Sequence, residues 1–173
     1  CRVERKRYLR ETLLCSGISG GLAVFLPVLL SDIVWIINGE PNTGEQMGIN
    51  YFTVFDGTVY GELQFVWNGF FLVLFLLLLA FLFGASWSVI GLCVSALIPN
   101  RYITLAAPFA LFFGAHLILY RLDKPLLFSP ANVLMPATDF IPFPAFPLLY
   151  QLGMLALASA LCWKLLERRL RDV

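Results

Sequence analysis

Charge is scarce in this chain, and the residue patterns of catalysis are scarcer. Asp, Glu, Lys and Arg make up 13% of its 173 residues, where a soluble domain carries about 25%. A soluble fold of this length has too small an interior for a chain that is 60% hydrophobic, with a mean hydropathy of +0.82. There is a single histidine, His116. No G-x-x-x-x-G-K-[ST] string is present, so the loop that cradles ATP phosphates is missing. No H-E-x-x-H sets two imidazoles on one helix face. The four cysteines form no C-x-x-C or Cys/His cluster, which leaves no metal-ligand spacing. The chain is therefore expected to hold no catalytic residue, no cofactor and no metal.

What the chain has in abundance is uncharged length: Thr12–Ser31, Phe65–Asn100, Tyr102–Tyr120 and Phe140–Trp163. An apolar run of about 20 residues crosses a hydrocarbon core roughly 30 Å thick as a helix. Helices are favoured there because lipid offers no partner to exposed backbone groups. The sequence predicts an all-α integral membrane protein, a single domain over 1–173. Its four transmembrane helices fall at about 13–37, 65–98, 102–120 and 146–163, with external segments 38–64 and 121–145.

The basic residues orient it. Arg2, Arg5, Lys6, Arg7 and Arg10 precede the first span, Arg101 lies between the second and third, and Lys164, Arg168, Arg169 and Arg171 follow the fourth. Only Arg121 and Lys124 fall on the other side. An excess of bases beside span ends marks the cytoplasmic face, so both ends are expected in the cytoplasm of a multi-pass protein of the cell (inner) membrane. Bases in these places set topology and meet anionic lipid, and no nucleic-acid partner is expected. Cys1, Cys15, Cys93 and Cys162 lie toward the same face, which predicts reduced thiols and no disulfide.

Along the chain, Arg2–Glu11 reads as a basic helix in the membrane interface. Gly17 and Gly21, four apart with Ser16 and Gly20 beside them, have the small-residue spacing that lets membrane helices approach closely. Pro27 removes a backbone donor and predicts a kink. Asn38-Gly39 and Asp56-Gly57 are turn signals, and 51–54 with 58–60 form a candidate hairpin. The second uncharged run, about 36 residues, is roughly 54 Å long as a helix. Two crossings there would put Lys164–Arg171 outside, so one long span bent near Gly84 is expected, with Ala80, Gly84 and Ser88 on one face. Six prolines break up 121–147, an apolar stretch that reads as a re-entrant outer segment. Ser129-Pro130 fits an N-cap followed by proline at the first helical position, predicting a short helix Pro130–Met135. The chain begins at Cys1 rather than Met, so a piece of a longer protein is expected. Its first apolar run is too long for a signal peptide.

Three polar residues are candidates for a substrate path. His116 is the one titratable group well inside a span, where ionisable groups are functional by default; the plainer role is a neutral imidazole bonded to a neighbouring helix. Asp32 near the outer end of the first span suits a cation or an amine, or else simple solvation. Asn68 either faces a pathway or caps the second span. Gly17-Ile18-Ser19-Gly20 with His116 is similar in kind to the serine and histidine of rhomboid intramembrane proteases. Depth opposes it: Ser19 lies roughly 9 Å and His116 roughly 21 Å from the same face, whereas a serine and its base must approach to about 3 Å.

Arg5-Lys6-Arg7-Tyr8-Leu9-Arg10, followed by Leu13-Leu14 and Ser16-Gly17-Ile18-Ser19-Gly20-Gly21, resembles the membrane subunits of ABC exporters of the type 2 permease class. Trp87, Gly91 and Ser95, leading to Pro99-Asn100-Arg101-Tyr102 and Ala107-Pro108-Phe109, are similar to later spans of that family, and Ser129-Pro130 before the last span fits as well. The resemblance implies a six-span subunit of which this chain holds the last four. It implies a second permease subunit, identical or not, and a separate ATPase subunit that binds ATP and Mg. It carries over no cargo-binding residue.

The function expected is thus a permease component moving an unidentified substrate by alternating access, with Gly17, Gly21 and Gly84 packing helices; it is a transport subunit rather than an enzyme. The alternatives are a non-transporting assembly or sensor protein that binds a partner through loop 38–64, and the intramembrane serine protease.

Overall fold

The computed structural model describes residues 2–38, 60, 69–98, 100–121, 128–134 and 141–169. Every regular element among them is helical: α1 (Arg2–Asn38), α2 (Gly69–Leu97), α3 (Arg101–Arg121), the short α4 (Pro130–Leu134) and α5 (Phe146–Arg169). All but α4 are long and apolar enough to cross a membrane. The described residues are all-helical, with the four long apolar helices that a multi-pass membrane protein requires.

The basic N-terminal stretch is not a separate element. It forms the first turns of a continuous 37-residue α1. Arg7 Nε donates to Glu11 Oε1 at 2.8 Å one turn on, an exposed pair that contributes little to stability. Pro27 lies inside α1 without ending it, although it deprives the Ala23 carbonyl of its helical partner. Residues 69–97 are likewise one 29-residue helix rather than a hairpin. At 1.5 Å per residue α2 is roughly 43 Å long, longer than the hydrocarbon core, so it tilts or protrudes.

Some hydroxyls inside these helices are satisfied by the turn before them. Ser86 Oγ donates to the Leu82 carbonyl at 2.8 Å and Thr12 Oγ1 to the Tyr8 carbonyl at 2.9 Å. This is how Ser and Thr enter an apolar helix without an orphan donor.

The centre of the bundle is α2, on which α1, α3 and α5 all pack. It is apolar on every side, as a surrounded helix must be, and it supplies the buried Leu77, Leu79, Ala80, Leu82, Ala85, Val89 and Cys93. By contrast, α3 has no buried residue. One face of α5, carrying Pro147, Gln151, Ala158 and Cys162, is buried. Its lower half meets α2 in a cluster of Val89, Cys93, Ala158 and Cys162, with Leu13 of α1 against it. Arg169 Nη1 donates to the Ser95 carbonyl at 3.0 Å, tying the end of α5 to an unpaired carbonyl of the last turn of α2.

At the opposite end Tyr60, Leu72 and Ile141 form a second cluster, joined by Phe75 and Phe146. Tyr60 is wholly buried, stacks on Phe75 with centroids 5.8 Å apart, and donates its hydroxyl to the Pro144 carbonyl. The backbone at Tyr60 is helical. The rest of the expected hairpin, with most of 38–64, lies outside the described residues. So does Met135, while Pro130–Leu134 is helical.

The turn between α2 and α3 is set by Asn100. Its Oδ1 accepts from Tyr102 N at 2.9 Å and from Ile103 N at 3.4 Å, an N-cap that satisfies two otherwise orphaned donors. Asn100→Ala should lower stability by about 1 kcal/mol, seen as a lower midpoint in thermal unfolding of the detergent-solubilised protein.

Burial pushes the Tyr60 phenol well above its ordinary pKa. Because the folded value is the higher one, its contribution to stability is complete below about pH 10, the unfolded value, and is lost as pH rises toward the folded pKa. Tyr60→Phe should cost about 1 kcal/mol at neutral pH, and its unfolding midpoint should lack that alkaline loss.

Candidate functional site

In lipid no hydrophobic force drives helices together, so close packing and interhelical hydrogen bonds must do it. Here α1 and α2 meet backbone to backbone. A Cβ added to Gly84 would lie 2.3 Å from the Gly20 carbonyl oxygen, and one added to Gly20 would lie 2.1 Å from Ser88 Cβ and 2.8 Å from the Gly84 carbonyl oxygen. At Gly21 the ring of Phe81 is 2.6 Å from where a Cβ would stand. Ser88 Oγ donates to the Ser16 carbonyl at 2.8 Å and lies 3.0 Å from Ser16 Oγ. Gly17 is different: its nearest neighbour, Val89 Cγ2, is 3.9 Å away. Of the glycines singled out in the sequence, Gly21 and Gly84 therefore sit in the tight seam and Gly17 at its edge. Gly20 forms the seam's closest contact. Its signal was present, because Gly20 with Ser16 repeats the four-residue spacing.

Beside this seam α1, α2 and α3 leave a groove. Its wider part, 820 Å³, runs from Asn100, Arg101 and Thr104 past Ser95 and Ser16 to Trp87, Pro108 and Phe109. A deeper part of 310 Å³ continues from Trp87, Pro108 and Phe109 to Phe83, Phe112 and Leu134 and is apolar throughout. Phe83, Trp87 and Phe112 pack edge to face, with Phe83–Phe112 and Trp87–Phe112 centroids each 5.7 Å apart. The indole Nε1 of Trp87 is buried without an acceptor. Pro108 of α3, like Pro27 of α1, breaks one backbone bond, here at the Thr104 carbonyl. The groove is thus polar and cationic at one end and aromatic at the other.

The three path candidates are not brought together around it. His116 and Asp32 line neither part of the groove, and Asn68 lies outside the described residues. Asp32 is buried near the end of α1 and has a partner. His116 Nδ1 lies 2.8 Å from Ser129 Oγ, which links α3 to the start of α4. The hydroxyl that the sequence assigns to capping α4 thus also meets this imidazole. That spacing would suit a nucleophile and its base, but Ser129 is wholly buried, so no substrate carbonyl reaches its oxygen. Ser19 Oγ donates to the Ser16 carbonyl at 3.1 Å, so Ser19 and His116 have different partners. The described residues hold no group of three or more His, Cys, Asp or Glu able to bind a metal. No family model, curated protein or solved structure matches this chain.

The seam has a direct test. Gly84→Ala drives a methyl into the Gly20 backbone and should destabilise the solubilised protein by about 1–3 kcal/mol. Gly153→Ala, where nothing lies within 4 Å, should be neutral or stabilise by up to about 1 kcal/mol. Equal unfolding midpoints for the two variants would contradict the seam.

Proposed function

We propose that the chain is the membrane-spanning permease portion of an ATP-driven ABC exporter of the type 2 class. The observation that carries this reading is where the residues of the resemblance lie. Ser16, Gly20 and Gly21 build the α1–α2 seam. Trp87, Gly91, Ser95, Asn100, Arg101, Pro108 and Phe109 line the groove beside it. Much of the pattern thus gathers at one seam and one opening, while Leu13 and Ser129 lie outside both. The bare flank of α3 supports the same reading, since a helix with no buried residue suits a bundle that packs against further spans or a second permease subunit.

In this reading both ends face the cytoplasm of the cell membrane, with Arg2–Glu11 at the interface and the proline-rich 121–145 folded back into the outer leaflet. The chain brings no nucleotide loop of its own. ATP and Mg are bound by a separate ATPase subunit, whose closure draws the cytoplasmic helix ends together and opens the path outward. Asp32, Asn68 and His116 are the polar groups offered to a substrate on that route.

Gentle solubilisation of the full-length protein from its native membrane should bring down an ATPase carrying a P-loop, identified by mass spectrometry. The reading fails if the preparation contains no ATPase and the protein's cellular role persists in cells from which the candidate ATPases have been deleted.

A further inference from the structure

We infer that the groove between α1, α2 and α3 is a binding site for one anionic phospholipid, with the phosphate at Arg101 and an acyl chain along Trp87, Phe109 and Phe112. The charge comes first. Arg101 lines the wide end of the groove, is exposed, and has no carboxylate partner among the described residues. Its guanidinium rests 5.2 Å from the ring centroid of Tyr102 and donates from Nη2 to the Tyr102 hydroxyl at 3.5 Å, which engages one of its five N–H donors. Arg169, which does not line the groove, is bonded to the carbonyl of the groove residue Ser95 and brings a second guanidinium to the same end. Basic pockets between membrane helices hold anionic headgroups, and a guanidinium grips phosphate with paired donors.

Length and polarity then select a lipid. From Arg101 to Phe112 along α3 is roughly 16 Å, close to the depth of one leaflet, about half of a 30 Å hydrocarbon core. The polar end of the groove thus lies at the interface and the aromatic end near the midplane. Ala23 and Phe109 on its walls are exposed, so the groove opens sideways, where lipid lies. A soluble anion would leave the aromatic half empty. An apolar packed helix would leave the Arg101 guanidinium without an anion. This site requires neither an ATPase nor transport, so it stands apart from the exporter reading.

The full-length protein, incorporated in mixed micelles containing equal amounts of phosphatidylglycerol and phosphatidylcholine, is to be analysed by native mass spectrometry. We expect one phosphatidylglycerol per chain, retained about fivefold over phosphatidylcholine, the preference that one basic residue confers near a membrane surface. Arg101→Gln should bring the two lipids to parity and Arg101→Lys should keep most of the preference. Ala23→Trp, which fills the groove from an exposed position, should abolish retention while leaving the thermal unfolding midpoint unchanged. Equal retention of both lipids by the unsubstituted protein would overturn the proposal, as would a preference that survives Arg101→Gln. A lipid-free dimer that Ala23→Trp splits into monomers would also overturn it and assign the groove to a second copy.

Discussion

The contact between the backbones of Gly20 and Gly84 is the constraint on which the rest of the bundle depends. Lipid tails are as apolar as leucine, so burial alone gives α1 and α2 no reason to associate. What holds them is the nearness that two missing side chains permit, together with the hydroxyls of Ser16 and Ser88, each with its hydrogen bond made inside protein. With that seam closed, one side of α2 is committed to α1 and another to α5. The remaining side faces α3 across the groove.

The two ends of the bundle are fastened by different means. At one end Arg169 reaches the Ser95 carbonyl, and the cysteine sulfurs of α2 and α5 are packed out of reach of solvent. At the other, Tyr60 anchors beneath Phe75 and Phe146, while Tyr150 donates to the Phe128 carbonyl at 3.1 Å. Buried side-chain nitrogens and oxygens among the described residues find partners in protein. Two side chains are exceptions: Trp87, beside the groove, and Gln151, whose amide is wholly buried on α5 with neither atom bonded. We have no physical account of Gln151.

Much of this architecture could be deduced from the residues. Runs of apolar residues marked all four long helices, because in lipid the backbone has no alternative to helix. Gly21 and Gly84 announced close packing by their spacing from other small residues, and Pro130 announced the start of α4. Other features were hidden because they are long-range. That Gly20 rather than Gly17 takes the central place depends on how α1 is rotated against α2. The pairing of His116 with Ser129 depends on the path of a proline-broken connection, which no periodicity records. Arg2–Glu11 joined α1 because nothing in its sequence stops a helix; its charge argued for the interface but not for a break. The groove was invisible in the sequence, since each residue lining it reads as an ordinary member of its own span.

The nakedness of α3 has a mechanical consequence. It is joined to α2 through the short link at Ile98–Asn100 and has no residue enclosed by its neighbours, so it is held by surface contacts such as Phe112 on Phe83 and Trp87 and the His116–Ser129 hydrogen bond. Separating α1 from α2, by contrast, would break a seam sealed by backbone contact. The width of the opening beside Trp87 thus rests on a few side-chain contacts of α3, whereas the α1–α2 seam rests on backbone.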